Sequence, residues 1–448
     1  MSTLRGAMED IVKAVTDAGV IGAGGGGFPA HIKLSAQAEY AIANGSECEP
    51  LLQSDQMLMS QYPEEVVEGL KLLQKATGAS QGILALKEKY QPAIEALSPL
   101  VEKEKNISFH LLGDYYPAGD EVVMVYETTG RRVPEGGIPP QVGVMVNNVE
   151  TLFNISRAVR GEVVTDKFLT IAGEVHQPKV VKVPIGTRAE QVIAWAGGAK
   201  IGEWAVLCGG PNMGELISPS APVHKTTSAL LVLPADHPLV SRRQMGLSIS
   251  LKRAKAACCY CRYCSELCPR YLLGHSLFPH KIMRSINLGI DEHLEVITSA
   301  FLCSECGLCE SYACPMELSP RFVAREIKSL LSAKGIANPH LRNSFLRERG
   351  WEERRVPLER LTARLGIRDY DKQFPIDLNT YSPAEVVVSL DQHTGAPSVP
   401  LVKKGDTVKR GQLIANIPKG RLGAKYHAPI AGKVKEVTSN SILIKAEG

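Results

Sequence analysis

Cysteine is concentrated in one part of this 448-residue chain, with a spacing typical of metal or redox chemistry. Nine of its eleven cysteines lie between Cys258 and Cys314. Disulfide scaffolds occur in short secreted chains, whereas the first ten residues here are charged and lack the apolar segment of a signal peptide. We therefore expect an intracellular protein whose clustered cysteines bind metal or carry electrons.

Two cysteine runs follow the pattern of two-cluster ferredoxins. Each has three cysteines at x₂ spacing and then a Cys-Pro pair, which comes after three residues in the first run and after four in the second. Three such thiolates can surround one [4Fe–4S] cube from a tight loop, while the cysteine before proline ligates the other cube. The predicted ligands are Cys258, Cys261, Cys264 and Cys314 for one cube, and Cys268, Cys303, Cys306 and Cys309 for the other.

One cysteine in this block is not predicted to be a ligand. Cys259 breaks the rhythm, because Cys258 and not Cys259 keeps x₂ spacing to Cys261. Structural zinc held by four cysteines is the alternative to iron–sulfur clusters. Two triplets that are each closed by Cys-Pro match zinc poorly, so the spacing favours iron–sulfur binding.

A glycine run near the amino terminus is the second chemical feature. The segment Gly22–Gly27 lets backbone N–H groups approach a phosphate closely and form an anion-binding concavity. No clear strand precedes it and no Gly-Lys-Ser/Thr follows, so it is neither the usual dinucleotide fingerprint nor a P-loop. By itself the run is almost equally consistent with a flexible loop.

Further segments extend this glycine run into a pattern that resembles a known family. After Gly27-Phe28-Pro29 come Asn44–Pro50, Tyr116–Glu121 and Val146–Leu152, in that order. With the ferredoxin runs, they resemble the NADH- and FMN-binding subunit of respiratory complex I and, more closely, the RnfC subunit of bacterial Rnf complexes. Length and domain order most resemble the soluble RnfC relatives that serve as cobalamin reductases in propanediol-utilisation bacterial microcompartments.

The resemblance implies a cofactor role for a set of named residues. The residues implied to line or bond FMN are Gly22, Gly24, Gly25, Lys33, Asn44, Asn147, Asn148 and Thr151. Phe28 would stack on NADH, and Glu49, Asp120 and Glu121 would hold its ribose hydroxyls or shape its pocket. Glu47 completes the implied cofactor site. No catalytic residue is implied, because hydride transfer to a flavin needs orientation rather than a protein base.

Two positions depart from the complex I pattern. Ala23 stands where that subunit has an arginine, and Ser46 replaces an acidic residue. Both changes remove charged contacts from the flavin edge. The resemblance therefore implies flavin binding more directly than a choice of nicotinamide cofactor.

The predicted fold class is multidomain, α/β and α+β, in four parts. Strands that alternate with helices predict an α/β domain over residues 1–160, and the resemblance implies that this domain binds FMN and NADH. The resemblance adds a β-grasp (SLBB) domain over 166–235 and a helical two-cluster ferredoxin-like domain over 241–348. Short strands separated by turn residues predict a barrel-sandwich, lipoyl-like domain over 374–448, and the mixed charges of Leu341–Arg364 predict a solvated helical face.

The implied activity is electron transfer from NADH through FMN and two [4Fe–4S] clusters to cobalamin, whose cobalt is reduced towards Co(I). The implied location is a propanediol-utilisation microcompartment, with a shell protein and an adenosyltransferase as partners. The motif D-x-H-x-x-G is missing, so we expect transient cobalamin binding without a protein axial ligand. The alternatives are an electron-entry subunit of a membrane redox complex and a non-enzymatic electron-transfer adaptor on a shell protein.

Composition excludes several other classes of protein. A net charge of +4 gives no strong field for nucleic acid. No apolar run approaches the ~20 residues that a membrane helix needs. Residues 1–19 have apolar positions at helical spacing, which fits either an encapsulation segment or a helix that covers the flavin domain.

Overall fold

The structure is a computed structural model that describes residues 2–289 and 294–447. Its first domain is built on a parallel four-stranded sheet with the order β3-β2-β1-β5. These strands are β1 (Tyr40–Gly45), β2 (Gln81–Lys87), β3 (Ile107–Leu112) and β5 (Val144–Asn148), and the short β4 is Tyr115–Tyr116. Parallel strands are buried on both faces, which explains why their sequences are almost continuously apolar.

Helices connect these strands and cover the sheet. They are α1 (Ser2–Asp17), α2 (Ala30–Leu34), α3 (Ser54–Gln61), α4 (Pro63–Thr77), α5 (Gln91–Val101), α6 (Glu121–Thr129), α7 (Val149–Val159) and the 3₁₀ helix Pro139–Val142. On α1, Ile11 and Val15 are buried in the core of this domain, so that helix covers the sheet. Met1 of the predicted segment 1–19 lies outside the described residues.

The two faces of the parallel sheet have different neighbours. Successive residues of a strand point to opposite faces, and along β1 the side chains of Ala41 and Ala43 pack with α4 and α7. Ile42 belongs to a second core, which also contains Leu272 and Ile282 of the cysteine-rich region. The sheet therefore carries that region directly on its second face.

The second sheet has six strands in the order β12-β7-β6-β10-β8-β9. They are β6 (Asp166–Gly173), β7 (Lys179–Pro184), β8 (Trp204–Cys208), β9 (Glu215–Ile217), β10 (Ala229–Pro234) and β12 (Ile376–Asp377), with α8 (Ala189–Trp195) packed against them. The last strand, β12, comes from far along the chain and pairs in parallel with β7. The sequence pattern does not predict this long-range strand.

The cysteine-rich region is helical. Its elements are α9 (Pro238–Gln244), α10 (Leu247–Ala257), α11 (Tyr263–Glu266), α12 (Pro269–Leu272), α13 (Pro279–Leu288), α14 (Leu294–Thr298), the 3₁₀ helix Ser299–Leu302, the π-helix Cys309–Ala313 and α15 (Pro320–Ala333). Most are shorter than three turns, so tertiary packing and not local propensity holds them.

The segment after α15 corrects one prediction. The charge pattern of residues 341–364 predicts a solvated helical face, but the chain is irregular up to β11 (Val356–Pro357), which pairs with β4 of the first domain. Only α16 (Leu358–Leu365) is helical there, before the 3₁₀ turn Arg368–Tyr370. Trp351 is buried, because this segment returns to pack on the flavin domain.

The carboxy-terminal domain consists of two small antiparallel sheets. Their strands are β13 (Glu385–Ser389), β14 (Val399–Pro400), β15 (Thr407–Val408), β16 (Leu413–Asn416), β17 (Tyr426–His427), β18 (Gly432–Val437) and β19 (Ser441–Lys445). A loop of this domain rests on the glycine run, since Thr394 donates its backbone N–H to Gly27 O and its hydroxyl to Gly26 O, at 3.0 and 3.1 Å. The carboxy-terminal domain thus supports the glycine run of the first domain.

The junction between this domain and α1 should weaken in acid. Burial, with Lys225 and Lys425 nearby, lowers the pKa of His427 to about 4. The unfolded chain, with a histidine pKa of about 6.5, binds more protons between the two values, so stability falls as pH drops through that window. The expected fall is about 1.4 kcal/mol per pH unit in the free energy of unfolding.

Urea unfolding at pH 7 and pH 5 measures this effect in wild type and His427→Asn. We expect the variant to lose less stability than wild type on acidification. His176→Asn, at an exposed position, is the matched control and should behave like wild type. A difference between wild type and His427→Asn that does not change with pH would contradict the prediction.

Candidate functional site

The glycine run forms a closed loop between α1 and α2. Gly22 donates its N–H to Phe28 O at 2.8 Å, and Gly27 donates to Gly22 O at 3.1 Å. Gly25 has φ +104°, a conformation that side chains rarely adopt. No atom lies within 4 Å of a Cβ built at Gly25 or Gly26, so a bound group can approach the backbone there.

The tip of this loop is fixed by residues at the start of α7 and in the neighbouring strand β6. Ala23 donates its N–H to Thr151 Oγ1 at 3.0 Å, and its carbonyl accepts from Lys167 Nζ at 3.1 Å. Lys167 is fully buried and is paired with Glu150. A Cβ at Gly24 would approach the Asn148 side chain to 3.2 Å, so three implied FMN residues, Gly24, Asn148 and Thr151, lie together.

The other implied FMN residues converge at the carboxyl ends of β1 and β5. Parallel strands end at one edge of their sheet, where ligands bind in such folds. Lys33 reaches this edge from α2 and donates to Val146 O at 2.9 Å and to Glu121 at 2.8 Å. Asn44 Nδ2 donates to Gly119 O at 2.9 Å, which brings the Tyr116–Glu121 segment to the same place.

The edge has polar atoms that a ribityl phosphate group would satisfy. Buried polar groups nearly always have a hydrogen-bond partner, yet Asn147 Nδ2 and Ser46 Oγ have none in the described structure. The N-terminus of the eleven-residue helix α7, capped by Asn148, opens at this edge and favours an anion. The residues therefore fit FMN, which would supply the exchange between a two-electron and a one-electron carrier.

Two of the predicted acidic residues are used within the protein. Glu47 accepts hydrogen bonds from Ser54 Oγ and the Asp55 N–H, both at 3.0 Å, and so caps α3. Glu49 accepts the N–H groups of Asn212 and Met213 at 3.0 and 2.9 Å, which ties the flavin domain to the loop after β8. Burial raises the pKa of both carboxyls, and these hydrogen bonds favour their charged forms.

The other two acidic residues differ in exposure. Asp120 caps α6, and its side chain is only 12% exposed. Glu121 is 41% exposed and lies beside Lys33. Phe28 is half-buried, next to the exposed glycines. Glu121 is thus more open to solvent than Asp120, and Phe28 directly follows the glycine run.

A buried ion pair joins the flavin edge to the cysteine-rich region. Asp120 accepts two hydrogen bonds from the Arg270 guanidinium, at 2.6 and 3.0 Å. The charge of Asp120, with those of Cys306 and Cys268, raises the pKa of Arg270 against the opposing effect of burial. The Tyr116 hydroxyl adds a second link, 2.6 Å from Cys306 O and 3.1 Å from Glu49 Oε1.

Replacing Arg270 by Gln should change both stability and cluster potential. The uncompensated Asp120 should lower the free energy of unfolding by about 3–5 kcal/mol. Loss of a cation beside Cys268 and Cys306 should make the nearer cluster harder to reduce, because net charge sets such potentials. Denaturation and an EPR-monitored redox titration measure the two effects.

Arg270→Lys is the matched control, because it keeps the charge and loses only the bidentate geometry. Its cluster potential should stay close to that of the wild type. An unchanged potential in Arg270→Gln, with stability lowered, would show that the pair is only structural.

The first predicted cysteine set surrounds a small cavity. Its lining includes all four predicted ligands, Cys258, Cys261, Cys264 and Cys314. Burial and the neighbouring thiols raise the pKa of Cys264 to about 12. Thiolates so close together need a positively charged partner, which iron would supply.

The second set also comes together across the chain. The pKa of Cys268 rises to about 11 through burial, with Cys303 among the neighbours that contribute. Burial also raises the pKa of Cys306, with contributions from Cys268 and Cys303. Cys309 has Cys303 and Cys306 beside it. The four cysteines of the second predicted set are thus neighbours of one another, and their division into two crossed sets of ligands stays a prediction. Within the described residues, no group of three or more His, Cys, Asp or Glu is arranged to hold a single ion.

The two ligand loops share one backbone conformation that spacing does not reveal. In each triplet the residues before and after the middle cysteine have positive φ. They are Tyr260 and Arg262 around Cys261, and Glu305 and Gly307 around Cys306. Only Gly307 signals this in the sequence, because Tyr260, Arg262 and Glu305 adopt the same left-handed backbone without being glycine.

The sets differ in their distance from solvent. Cys268 is buried, and its set lies against Arg270 and Tyr116 at the flavin edge. Cys261 of the other set is exposed. Cys259, which is not a predicted ligand, is also exposed and lines the same small cavity as the first set. The arrangement gives an inner centre next to the flavin edge and an outer centre at the surface.

Family models match four consecutive parts of the chain. They are the Nuo51 FMN-binding domain over residues 15–157, the SLBB domain over 168–216, the 4Fe-4S dicluster domain over 257–319 and the RnfC barrel sandwich hybrid domain over 368–447. These matches confirm the predicted fold class and the FMN and iron–sulfur cofactors. In the described residues, no helix has both the length and the apolarity to cross a membrane.

Two solved chains of an NAD⁺-reducing [NiFe]-hydrogenase also align. The H₂-reduced form has a TM-score of 0.46 at 22% identity, with 74% of this chain and 63% of that chain covered. The air-oxidised form has a TM-score of 0.45 at 21% identity, with 82% of this chain and 68% of that chain covered.

Relatives of known function are similar over nearly the whole chain. The cobalamin reductases PduS of Citrobacter freundii and Salmonella typhimurium are each 44% identical, over 99% and 97% of this chain and 98% and 96% of their own. A component of the Na⁺-translocating ferredoxin:NAD⁺ oxidoreductase complex of Acetobacterium woodii is 32% identical over 60% of both chains. The chain belongs to the RnfC-like family that includes the PduS cobalamin reductases.

Proposed function

We propose that this protein is an NADH-dependent cobalamin reductase. The observation that carries the proposal is the 44% identity to cobalamin reductases over nearly the full length of both chains. NADH would give two electrons as hydride to FMN, and single electrons would pass through two [4Fe–4S] clusters to the cobalt of cobalamin. The chain's own part is to hold these centres in one line from the flavin edge to the surface.

Particular residues support each stage of this route. Phe28 follows the exposed glycines and Glu121 is partly exposed beside Lys33, and NADH would reach the flavin past these residues. The backbone of Gly25 and the side chains of Asn147 and Thr151 would hold FMN. Arg270 and Tyr116 join this edge to the inner cysteine set.

The setting we propose is a propanediol-utilisation microcompartment, where reduced cobalamin would be passed to an adenosyltransferase and the reductase would dock on a shell protein. The support is the similarity to the PduS proteins. The similarity to the component of the Acetobacterium woodii complex favours a second candidate, an electron-entry subunit of a membrane redox complex.

One anaerobic experiment tests the proposed activity. Purified protein with FMN bound and clusters reconstituted is mixed with NADH and hydroxocobalamin, and the visible spectrum is followed. We expect NADH-dependent formation of cob(II)alamin and then cob(I)alamin. Flavin bleaching by NADH without any change at cobalt would contradict cobalamin reduction and favour a protein acceptor.

A further inference from the structure

A large cavity lies beside the outer cysteine set. Its volume is about 940 Å³, and its wall includes Cys261, Arg262, Tyr263, Tyr312, Arg354 and Arg364. The inner set and the flavin edge lie elsewhere, because none of their residues lines this cavity. The cavity is therefore separate from the residues that are implied to bind NADH and FMN.

The position of the cavity suits the last step of electron transfer. Cys261 is both exposed and one of the four thiols of the outer set, so a molecule in the cavity would touch the ligand shell of that centre. Tyr263, two residues further on, is 56% exposed. An acceptor held here would need no further carrier, and proximity of this kind favours reaction.

The charges of the wall favour a ligand with exposed oxygen atoms. The wall contains three guanidinium groups and one carboxylate, that of Glu266. Glu266 is shared between two of them, at 3.2 Å from Arg262 and 2.5 Å from Arg354. Arg364 is paired with Glu317 at the longer distance of 3.5 Å and is 40% exposed. Its remaining guanidinium N–H groups can therefore bind a ligand.

The apolar part of the wall suits a broad flat ring. Tyr263, Tyr312, Leu267 and Pro315 supply aromatic and aliphatic surface. Aromatic side chains contribute a large contact area and pack against flat partners. None of the residues that line the cavity is a histidine, so the wall would not displace the axial ligand of a metal in the ring.

We propose that this cavity is the cobalamin-binding site of the reductase; this inference rests on the proposed function. The corrin ring would pack on Tyr263 and Tyr312, while arginines donate to its peripheral amide carbonyls and its nucleotide phosphate. No bond forms between protein and cobalt. The first electron reduces Co(III) to Co(II) and the axial water leaves to solvent; the second reduces Co(II) to Co(I) and the remaining axial base dissociates from cobalt. One NADH supplies both electrons and becomes NAD⁺, with its proton released to solvent.

The test removes the two arginines that lie far from the ligand loops in sequence. Arg354→Gln and Arg364→Gln are combined, and aquocobalamin binding to the oxidised holoprotein is measured by equilibrium dialysis without NADH. We expect the dissociation constant to rise at least about tenfold, because charge-assisted hydrogen bonds are lost. KM for cobalamin should rise in parallel, while flavin bleaching by NADH stays at the wild-type rate.

Arg368→Gln is the matched control, because Arg368 is 67% exposed and does not line the cavity. It should bind aquocobalamin like the wild type. A second variant, Tyr263→Ala, tests the ring contact and should also weaken binding, with the cluster EPR signals retained as proof of folding.

The outcomes separate the two proposals. If the wild type reduces cobalamin and the arginine and tyrosine variants bind and reduce it equally well, the cavity is not the site and the proposed function stands. If the wild type fails to reduce cobalamin at all, the proposed function fails. If reduction requires cobalamin bound to an adenosyltransferase, with no binding of the free molecule, the cavity proposal is overturned in favour of protein docking.

Discussion

Replacement of Cys306 by Ala, or of Cys261 by Ala, should lower NADH-driven cobalamin reduction by at least about a hundredfold, since even outer-shell partners of metal ligands can cost 10–100-fold. Each variant removes one thiolate from one of the two sets and should lose the corresponding EPR signal. Flavin bleaching by NADH should persist, because the glycine loop and strand ends make no use of these thiols. Stopped-flow absorbance and EPR measure the two stages separately.

The same experiment tests the crossed ligand sets. Cys314→Ala should lose the same EPR signal as Cys261→Ala, and Cys268→Ala the same signal as Cys306→Ala. Cys259→Ala is the matched control, since that exposed cysteine lies next to a ligand but outside both sets, and it should keep both signals. Loss of flavin bleaching together with the clusters would show that the domains do not fold independently of them.

Replacing Gly25 by Ala should largely abolish FMN binding. Its φ of +104° is strained for any side chain, at a cost of about 1–3 kcal/mol. The open space around its Cβ is where we propose that the cofactor contacts the loop. We expect the dissociation constant for FMN to rise more than about tenfold, as measured by quenching of flavin fluorescence.

Gly78→Ala separates strain from cofactor contact. Gly78 ends α4 with φ +73° and likewise has no atom within 4 Å of a built Cβ, but it lies far from the glycine loop in sequence and on the surface. Both variants should unfold more readily, and only Gly25→Ala should lose FMN. Equal flavin affinity in the two variants would contradict the assignment of the glycine loop.

A chelator should remove the two iron–sulfur clusters in the order of their exposure to solvent. Anaerobic treatment with an iron chelator should remove the outer cluster first, because Cys261 is exposed whereas Cys268 is buried. EPR spectra taken during the treatment should lose one signal before the other. Simultaneous loss, or survival of the signal that depends on Cys261, would contradict an inner and an outer centre.

The chemistry of this chain is predictable from its sequence because it depends on local spacing. Three thiolates at x₂ spacing must share one loop, and a cysteine before proline points away from it, so spacing alone assigns the two sets of four. The glycine run likewise predicts a close backbone approach, since only glycine readily adopts the φ found at Gly25.

Residues whose role depends on a distant partner are harder to assign. The family resemblance places Glu47 in the cofactor site and Glu49 at the NADH ribose or its pocket. In the structure the Glu47 carboxylate caps α3, and that of Glu49 holds the Asn212 loop. Tyr260 and Glu305 have left-handed backbone that nothing in their residue type predicts. Such roles and conformations are set by the tertiary neighbours of a residue, and the residue type alone does not specify them.

The iron–sulfur cofactors follow from cysteine spacing in the amino-acid sequence, the family resemblance of its motifs adds FMN and the four-part fold class, and the two ligand sets remain predictions from the same spacing. Two other features depend on tertiary packing: Arg270 meets Asp120 across 150 residues of chain, and Arg354 and Arg364 line a cavity beside Cys261. Both features join segments that are far apart in the chain, and no local sequence pattern specifies which surfaces will meet.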